Sequence, residues 1–423
     1  MKEDFLHYLW KYQLVDISKL KTVKNESISV LKTGTHNHNS GPDFLNSKIE
    51  LAGQVWFGNI EIHLKSSDWY VHQHETDESY DAVILHVVWE HDEDVFIKNN
   101  TPISTVELKQ FVRTDILNNY QNLTTKKTRW IPCEKEIHSI DSFLLNNWLE
   151  RLFIDRLEKK SQNIASLLQE AKNDWEVVLF QLLAKNFGLK VNGESFLKLA
   201  KSIPFSIIRK ERHDITKLSA LLFGQAGFLS ENLENPYHSK LKKEYEYLKH
   251  KYQLRSISKN EFQFFRMRPS NFPTLRVAQL VAVYHQHQNL FSLLMEVNSI
   301  KQLYQLFKIE VPEFWNSHFT FEKESKNRKK RFTHSFLDLL FINTIIPLQF
   351  YYQKSVHNFN EEQFFEKMKG LKSEKNSIIL KFSELKIEAK NAFESQALLE
   401  LKNNYCAPKR CLECAIGNQL LRN

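Results

Sequence analysis

The chain has 423 residues, 42% hydrophobic and 26% charged, with only ten glycines and ten prolines. That composition excludes a largely disordered or low-complexity protein and allows two domains. Net charge is +8 but unevenly divided: residues 1–100 carry 9 Lys/Arg against 16 Asp/Glu, and the remainder 49 against 34. An acidic module joined to a basic body suits a cation site beside a surface that tolerates polyanions.

Met1–Leu14 sets Phe5, Leu6, Leu9, Trp10 and Tyr12 at helical spacing among charged residues, which predicts a short amphipathic helix and not a secretory leader. Short β-type runs follow at Ser27–Lys32, Ser47–Leu51, Val55–Lys65, Ala82–Trp89, Val95–Ile97 and Ile103–Leu108, with breaks at Ser40–Asp43 and Gly53-Gln54. Beyond residue 110 the apolar spacing is helical, as in Ser142–Gln169, Asp174–Asn186 and Glu361–Glu400. The longest apolar stretch, Phe336–Tyr352, is interrupted by Asp338, Asn343 and Pro347 and falls short of a membrane span. The expected fold is an α+β N-terminal module with a mixed sheet over 1–110, a connector over 111–140 and a mainly α-helical body over 141–423. The expected location is cytoplasmic, with no membrane partner.

Seven of the seventeen histidines fall within residues 36–91: His36, His38, His63, His72, His74, His86 and His91. Asp43, Glu61, Asp68, Glu75, Asp77, Glu78 and Asp81 stand among them. Imidazole and carboxylate at that density suit a divalent metal. Asp43 precedes one predicted strand, and Glu61-Ile62-His63-Leu64-Lys65 lies on the next. Alternation along a strand puts Glu61, His63 and Lys65 on one face and Ile60, Ile62 and Leu64 on the other. A polar face on an apolar strand is costly to bury unless paired, and a metal held by Asp43 and Glu61 supplies the partner. His86, inside Val-Ile-Leu-His-Val-Val-Trp, reads as a core histidine, and Ser67 or Asp68 as a helix cap. A rival arrangement is His72-Gln73-His74 with Glu78, an HxHxxxE string that resembles the first transition-metal motif of cupins.

The order of Asp43 and Glu61-x-His63 resembles the PD-(D/E)XK nuclease superfamily, whose core runs helix, three strands, helix, strand. The resemblance covers about residues 1–110. It implies Mg²⁺ or Mn²⁺ on Asp43 and Glu61, with His63 and Lys65 assisting hydrolysis of phosphodiester bonds in DNA or RNA. This chain departs from that pattern in placing His63 where the superfamily has lysine. A non-catalytic nucleic-acid-binding or scaffold protein on the same fold is the alternative.

Two further features lie outside that module. Arg266, Arg268 and Arg276 alternate with aromatics in Phe264–Arg276, a composition that stacks bases and grips phosphates or, equally, packs as a proline-broken connector. The run Lys326–Arg331 (KNRKKR) reads as a solvated loop. Cys406, Cys411 and Cys414 cluster near the end, and Cys133 completes a four-thiolate set suited to Zn²⁺ or a 4Fe–4S cluster; some PD-(D/E)XK nucleases hold such a cluster with one distant and three terminal cysteines. Over most of its length the chain resembles the bacterial DUF2851 family, through Ser40–Phe44 (SGPDF), Gly58–His63 (GNIEIH), Ser67–His74 (SDWYVHQH), Leu85–Trp89 (LHVVW), Arg266–Arg276 and the Cys406–Gly417 tail. That resemblance implies no activity.

Overall fold

The computed structural model describes residues 1–124 and 128–422. Helix α1 (Glu3–Lys11) carries Glu3 and Asp4 in its first turn and Lys11 in its last, so its charges complement the helix dipole. Phe5, Leu6, Tyr8, Leu9 and Trp10 are its buried residues.

The sheet begins as an antiparallel set: β1 (Ile28–Lys32), β3 (Phe44–Leu51) and β4 (Gln54–Lys65), with the short β2 (Thr35–His36) beside the start of β3. Strands β3 and β4 join through Ala52-Gly53, with Leu51 opposite Gln54. Both loop residues have positive φ, +49° and +81°, the conformation a tight two-residue hairpin requires. The direction then changes. The chain leaves β4 through the short helix α2 (Asp68–Val71) and two 3₁₀ turns, and returns as β5 (Val83–Glu90), parallel to β4. β6 (Thr105–Glu107) adds to β5, also in parallel, giving the order β1-β3-β4-β5-β6. A central strand is covered on both faces and must be apolar nearly throughout; Val83, Leu85, His86, Val87 and Val88 of β5 are all buried. The crossover packs on Trp69, Tyr80, Val83, Val95 and Ile103.

Three local expectations change. Val95–Ile97 is not a strand: Phe96 makes only an isolated bridge with Pro102, and its carbonyl accepts the Trp69 indole N–H at 3.1 Å. Neither Ser67 nor Asp68 caps α2. The Ser67 hydroxyl bonds Asp92 at 2.9 Å, and the Asp68 carboxylate accepts the Lys65 amide at 2.9 Å. Glu361–Glu400 forms three helices, at 361–369, 377–384 and 392–400, because the chain turns after Gly370 and through Lys386, where φ is +64°.

The chain divides into two compact units. Unit 1 comprises Met1–Trp148, Glu384–Ile387 and Leu401–Asn423; unit 2 comprises Leu149–Ser383 and Glu388–Glu400. Composition had set the division near residue 110 and left the tail with the helical body. The observed division falls inside the helix Ser142–Glu170, and the tail belongs to unit 1. There Lys402 Nζ donates to the Trp130 carbonyl at 2.8 Å, Lys409 Nζ to the Thr124 carbonyl at 3.0 Å, and Arg422 lies over the Tyr12 ring. Unit 2 is helical, and no helix among the described residues is long and apolar enough to cross a membrane.

Gly58, inside β4, marks a tight approach to the start of β5. A Cβ there would stand 2.5 Å from the Ala82 carbonyl oxygen and 2.4 Å from Ile84 Cγ2. That same carbonyl accepts the Asn59 amide at 2.8 Å, so it cannot retreat without breaking the ladder. Gly58→Ala is expected to destabilise unit 1 by about 1–3 kcal/mol, measured as a lower urea midpoint with an unchanged slope.

Candidate metal centre

Strand β4 is central, so Glu61 and His63, two residues apart, share a covered face; both are buried. The crossover brings two more imidazoles to them. Gln73 sits in the left-handed region at φ +61°, between the end of α2 and the next turn, and this bend lets His72 and His74 converge on β4. His72 Nδ1 lies 3.1 Å from His63 Nε2. Glu61 Oε1 lies 3.4 Å from His63 Nε2 and 3.3 Å from His74 Nε2. One ring nitrogen from each of His63, His72 and His74 falls within 4.8 Å of the others. Bonds of 2.0–2.1 Å at tetrahedral angles place neighbouring donors about 3.3 Å apart, and three donor pairs here stand at 3.1–3.4 Å.

The back of the pocket is fixed by His86, opposite Glu61 in the parallel register. Its Nε2 shares a 2.9 Å hydrogen bond with His63 Nδ1, which leaves His63 Nε2 facing the other donors. His74 stacks on Tyr80 at 3.8 Å, and the Trp69 ring packs against both His74 and His86.

An oxygen-richer group adjoins this one. Asp43 stands just before β3, and Glu3 and His7 lie one turn apart on α1; ligand atoms of the three fall within 4.8 Å of one another. Asp43 Oδ2 accepts the Ile62 amide at 3.0 Å and lies 3.2 Å from His7 Nε2. The Asp43 amide donates to Glu61 Oε2 at 3.1 Å. Glu61 therefore has one oxygen turned to the imidazoles and the other tied to Asp43. His36 stacks on Phe44 and meets the edge of His7, with His38 beside it.

Burial sets the electrostatics of the centre. Burial, and then the charge of Asp43, raise the pKa of Glu61. Burial, and then the neighbouring imidazoles, pull His63 down to about 2; burial does the same to His86, down to about 3. Both rings are thus neutral at pH 7, the form that binds metal. Burial lowers His7, but the hydrogen bond and charge of Asp43 outweigh it and its pKa is raised. Among the described residues, buried ring nitrogens without a hydrogen-bond partner include His74 Nε2 and His86 Nδ1, and His74 Nε2 faces Glu61 Oε1 at 3.3 Å. An orphaned His74 nitrogen facing a carboxylate of raised pKa is what a bound cation would satisfy. Three imidazoles suit a borderline ion such as Zn²⁺ or Fe²⁺; an oxygen-seeking ion such as Mg²⁺ finds better donors on the Glu3–Asp43 side.

The structure brings Asp43, Glu61 and His63 together but leaves Lys65 out. β4 ends there, and the Lys65 side chain, 55% exposed, faces Asp92 at 3.7 Å. The HxHxxxE string supplies His72 and His74, whereas Glu78 is exposed and pairs with Lys98 at 2.6 Å. The sheet is also open, with edges at β1 and β6, and so is no cupin barrel. Glu3 and His7 escaped the sequence reading; their only signal was i,i+4 spacing on the polar edge of the first helix.

The arginine segment is also divided. Arg276 is buried, bonded to Gln279 at 2.8 Å and Asn271 at 2.7 Å and lying 3.6 Å over the Phe336 ring, so it cannot meet a phosphate. Arg266 and Arg268 remain exposed, with Arg266 over the exposed ring of Phe265. In the KNRKKR run, Lys329 and Arg331 pair with Glu310, and Lys330 is buried with its amine on the His318 carbonyl.

Residues 3–377 match the family described as "Protein of unknown function (DUF2851)". The chain belongs to the DUF2851 family. Every donor of the centre lies inside the matched span, whereas Cys406, Cys411 and Cys414 lie beyond it. No curated protein and no solved structure matches the chain.

If the imidazole set is a metal site, titration of Zn²⁺ into chelator-treated protein should show saturable binding by calorimetry. His72→Ala and His74→Ala should each weaken it by at least about 10-fold, and Glu78→Ala should leave it unchanged.

Proposed function

We propose that this chain is a divalent-metal-dependent nuclease, hydrolysing phosphodiester bonds of DNA or RNA on a PD-(D/E)XK-like core. The observation that carries the reading is the meeting of Asp43 and Glu61, head to carboxylate, within an element order of helix, three antiparallel strands, short helix and parallel strand. Glu61, His63, His72 and His74 are the donors for one ion, and Asp43 with Glu3 offers oxygen to a second. A bound divalent ion polarises the phosphoryl oxygen and lowers the pKa of an attacking water. His86 is a positioning residue, holding the tautomer and direction of His63. His7, whose pKa Asp43 raises, is the candidate for the donor role that the superfamily gives to lysine.

One observation favours the second reading, a non-catalytic nucleic-acid-binding or scaffold protein. Lysine is replaced by His63, and the nearest lysine on the strand, Lys65, is paired outward with Asp92. Labelled single- and double-stranded DNA and RNA, incubated with Zn²⁺, Mn²⁺ or Mg²⁺, separate the two. Cleavage by the wild type, reduced at least about 100-fold in Glu61→Gln, supports the nuclease. A metal-loaded wild type that cuts none of these substrates leaves the scaffold reading.

A further inference from the structure

The face of β4 that carries Glu61 and His63 continues past the centre toward the β3–β4 hairpin. The extra residues in the two ladders fall on β3, between Phe44 and Ser47, and on β5, between Val83 and Leu85, so β4 itself alternates without a break. Val55, Phe57 and Asn59 therefore stand on the face of Glu61 and His63, and Trp56 on the opposite one. Toward the hairpin this face loses its cover: Phe57 is 71% exposed and Val55 45%. Four residues of extended strand put Phe57 about 13 Å from Glu61.

A single exposed apolar side chain needs no explanation, but this ring has basic neighbours. Lys48 stands opposite Phe57 in the β3–β4 register, and its amine lies 5.0 Å from the ring centroid. Lys32 in turn stands opposite Lys48 in the β1–β3 register. Cross-strand partners share a face, and like charges directly opposite one another destabilise a sheet. An anion lying across β1 and β3 relieves that repulsion. The acid on the same face, Glu50, is two residues nearer the turn, between Ser29 and Val55.

An exposed ring flanked by amines suits an unpaired nucleotide, whose base stacks on the ring while its phosphates meet the amines. Inside a duplex the base faces are already covered by neighbouring pairs, so only an unpaired base can lie on Phe57. We propose that this face of β1, β3 and β4 is a track for single-stranded nucleic acid, with a base stacked on Phe57, phosphates on Lys32 and Lys48, and the strand running along β4 to the Glu61 centre. The inference rests on the nuclease reading for what happens at Glu61. It makes the substrate of that site a single strand or an unpaired end, of DNA or RNA.

The test is fluorescence anisotropy with full-length protein and labelled oligo(dT), oligo(U) and a blunt DNA duplex, in chelator so that nothing is cut. The wild type should bind a single strand, and Phe57→Ala should weaken that binding about 5-fold or more while Phe57→Tyr retains it. Lys48→Ala should flatten its dependence on salt. In Phe57→Trp, the new indole emission should be quenched by the single strands and not by the duplex. Because Phe57 is exposed, each variant should keep the wild-type urea midpoint. Equal single-strand binding by wild type and Phe57→Ala, tighter binding of the duplex, or no binding at all overturns the track. So does a wild-type dimer in sedimentation that Phe57→Ala converts to monomer without any change in nucleic-acid binding, which assigns the face to a second copy of the chain. Cleavage is scored separately with Mn²⁺. Binding that depends on Phe57 without cleavage keeps the track and removes the nuclease reading, whereas cleavage indifferent to Phe57→Ala does the reverse.

Discussion

A carboxylate in the middle of a covered strand is the constraint around which unit 1 is organised. Glu61 is 5% exposed and flanked by β3 and β5, so neither oxygen has full access to water. An unpaired charge in that position costs several kcal/mol, and every neighbouring element reduces that cost. β3 sends the Asp43 amide to one oxygen; β4 and the crossover bring His63 and His74 to the other. Asp43 would itself repel Glu61, and α1 answers with His7 beside it. The raised pKa of Glu61 shows that these partners do not fully compensate. What remains is relieved by protonation of the carboxyl or by a nearby cation.

The change of strand direction gives this constraint its chemistry. Hairpin-linked β3 and β4 keep Asp43 and Glu61 close with almost no intervening chain. The parallel return to β5 needs a crossover, and the crossover is where His72 and His74 reside. An all-antiparallel meander would have had no segment to lay over that face. His86 on β5 then becomes the fixed support behind His63, so a histidine that reads as core is also the element that sets the direction of another. The result is a site with two characters, imidazole-rich on the crossover side and oxygen-rich toward α1.

The basic excess of the remaining chain has a different meaning once its partners are known. Arg276 is spent on Asn271, Gln279 and Phe336, and much of the KNRKKR run on Glu310 and the His318 carbonyl. Net charge counts formal groups, whereas a polyanion meets only those left at the surface, such as Arg266 and Arg268. The tail shows the same principle. Its cysteines follow a helical body in the sequence but belong with the sheet, because Lys402, Lys409 and Arg422 find their partners there.

Much was legible from local pattern alone. Alternation in Gly58–Lys65 located Glu61 and His63 on one face, the apolar run Ala82–Trp89 marked a central strand, and the enrichment of histidine over 36–91 marked the region where His63, His72 and His74 gather. These signals depend on periodicity and composition, which a chain carries before it folds. Membership in the DUF2851 family was legible in the same way, from short strings. The partners were not. Which carboxylate meets His72 and His74, Glu61 and not Glu78, depends on a crossover and a left-handed Gln73. The parts of Glu3 and His7 depend on how α1 lies on β4, and the exclusion of Lys65 on where β4 ends. Sequence determined which side chains were available and on which face of their own element they stand. Only tertiary structure decided which of them meet, because donor distances of 3.1–3.4 Å are set by the packing of elements far apart in the chain.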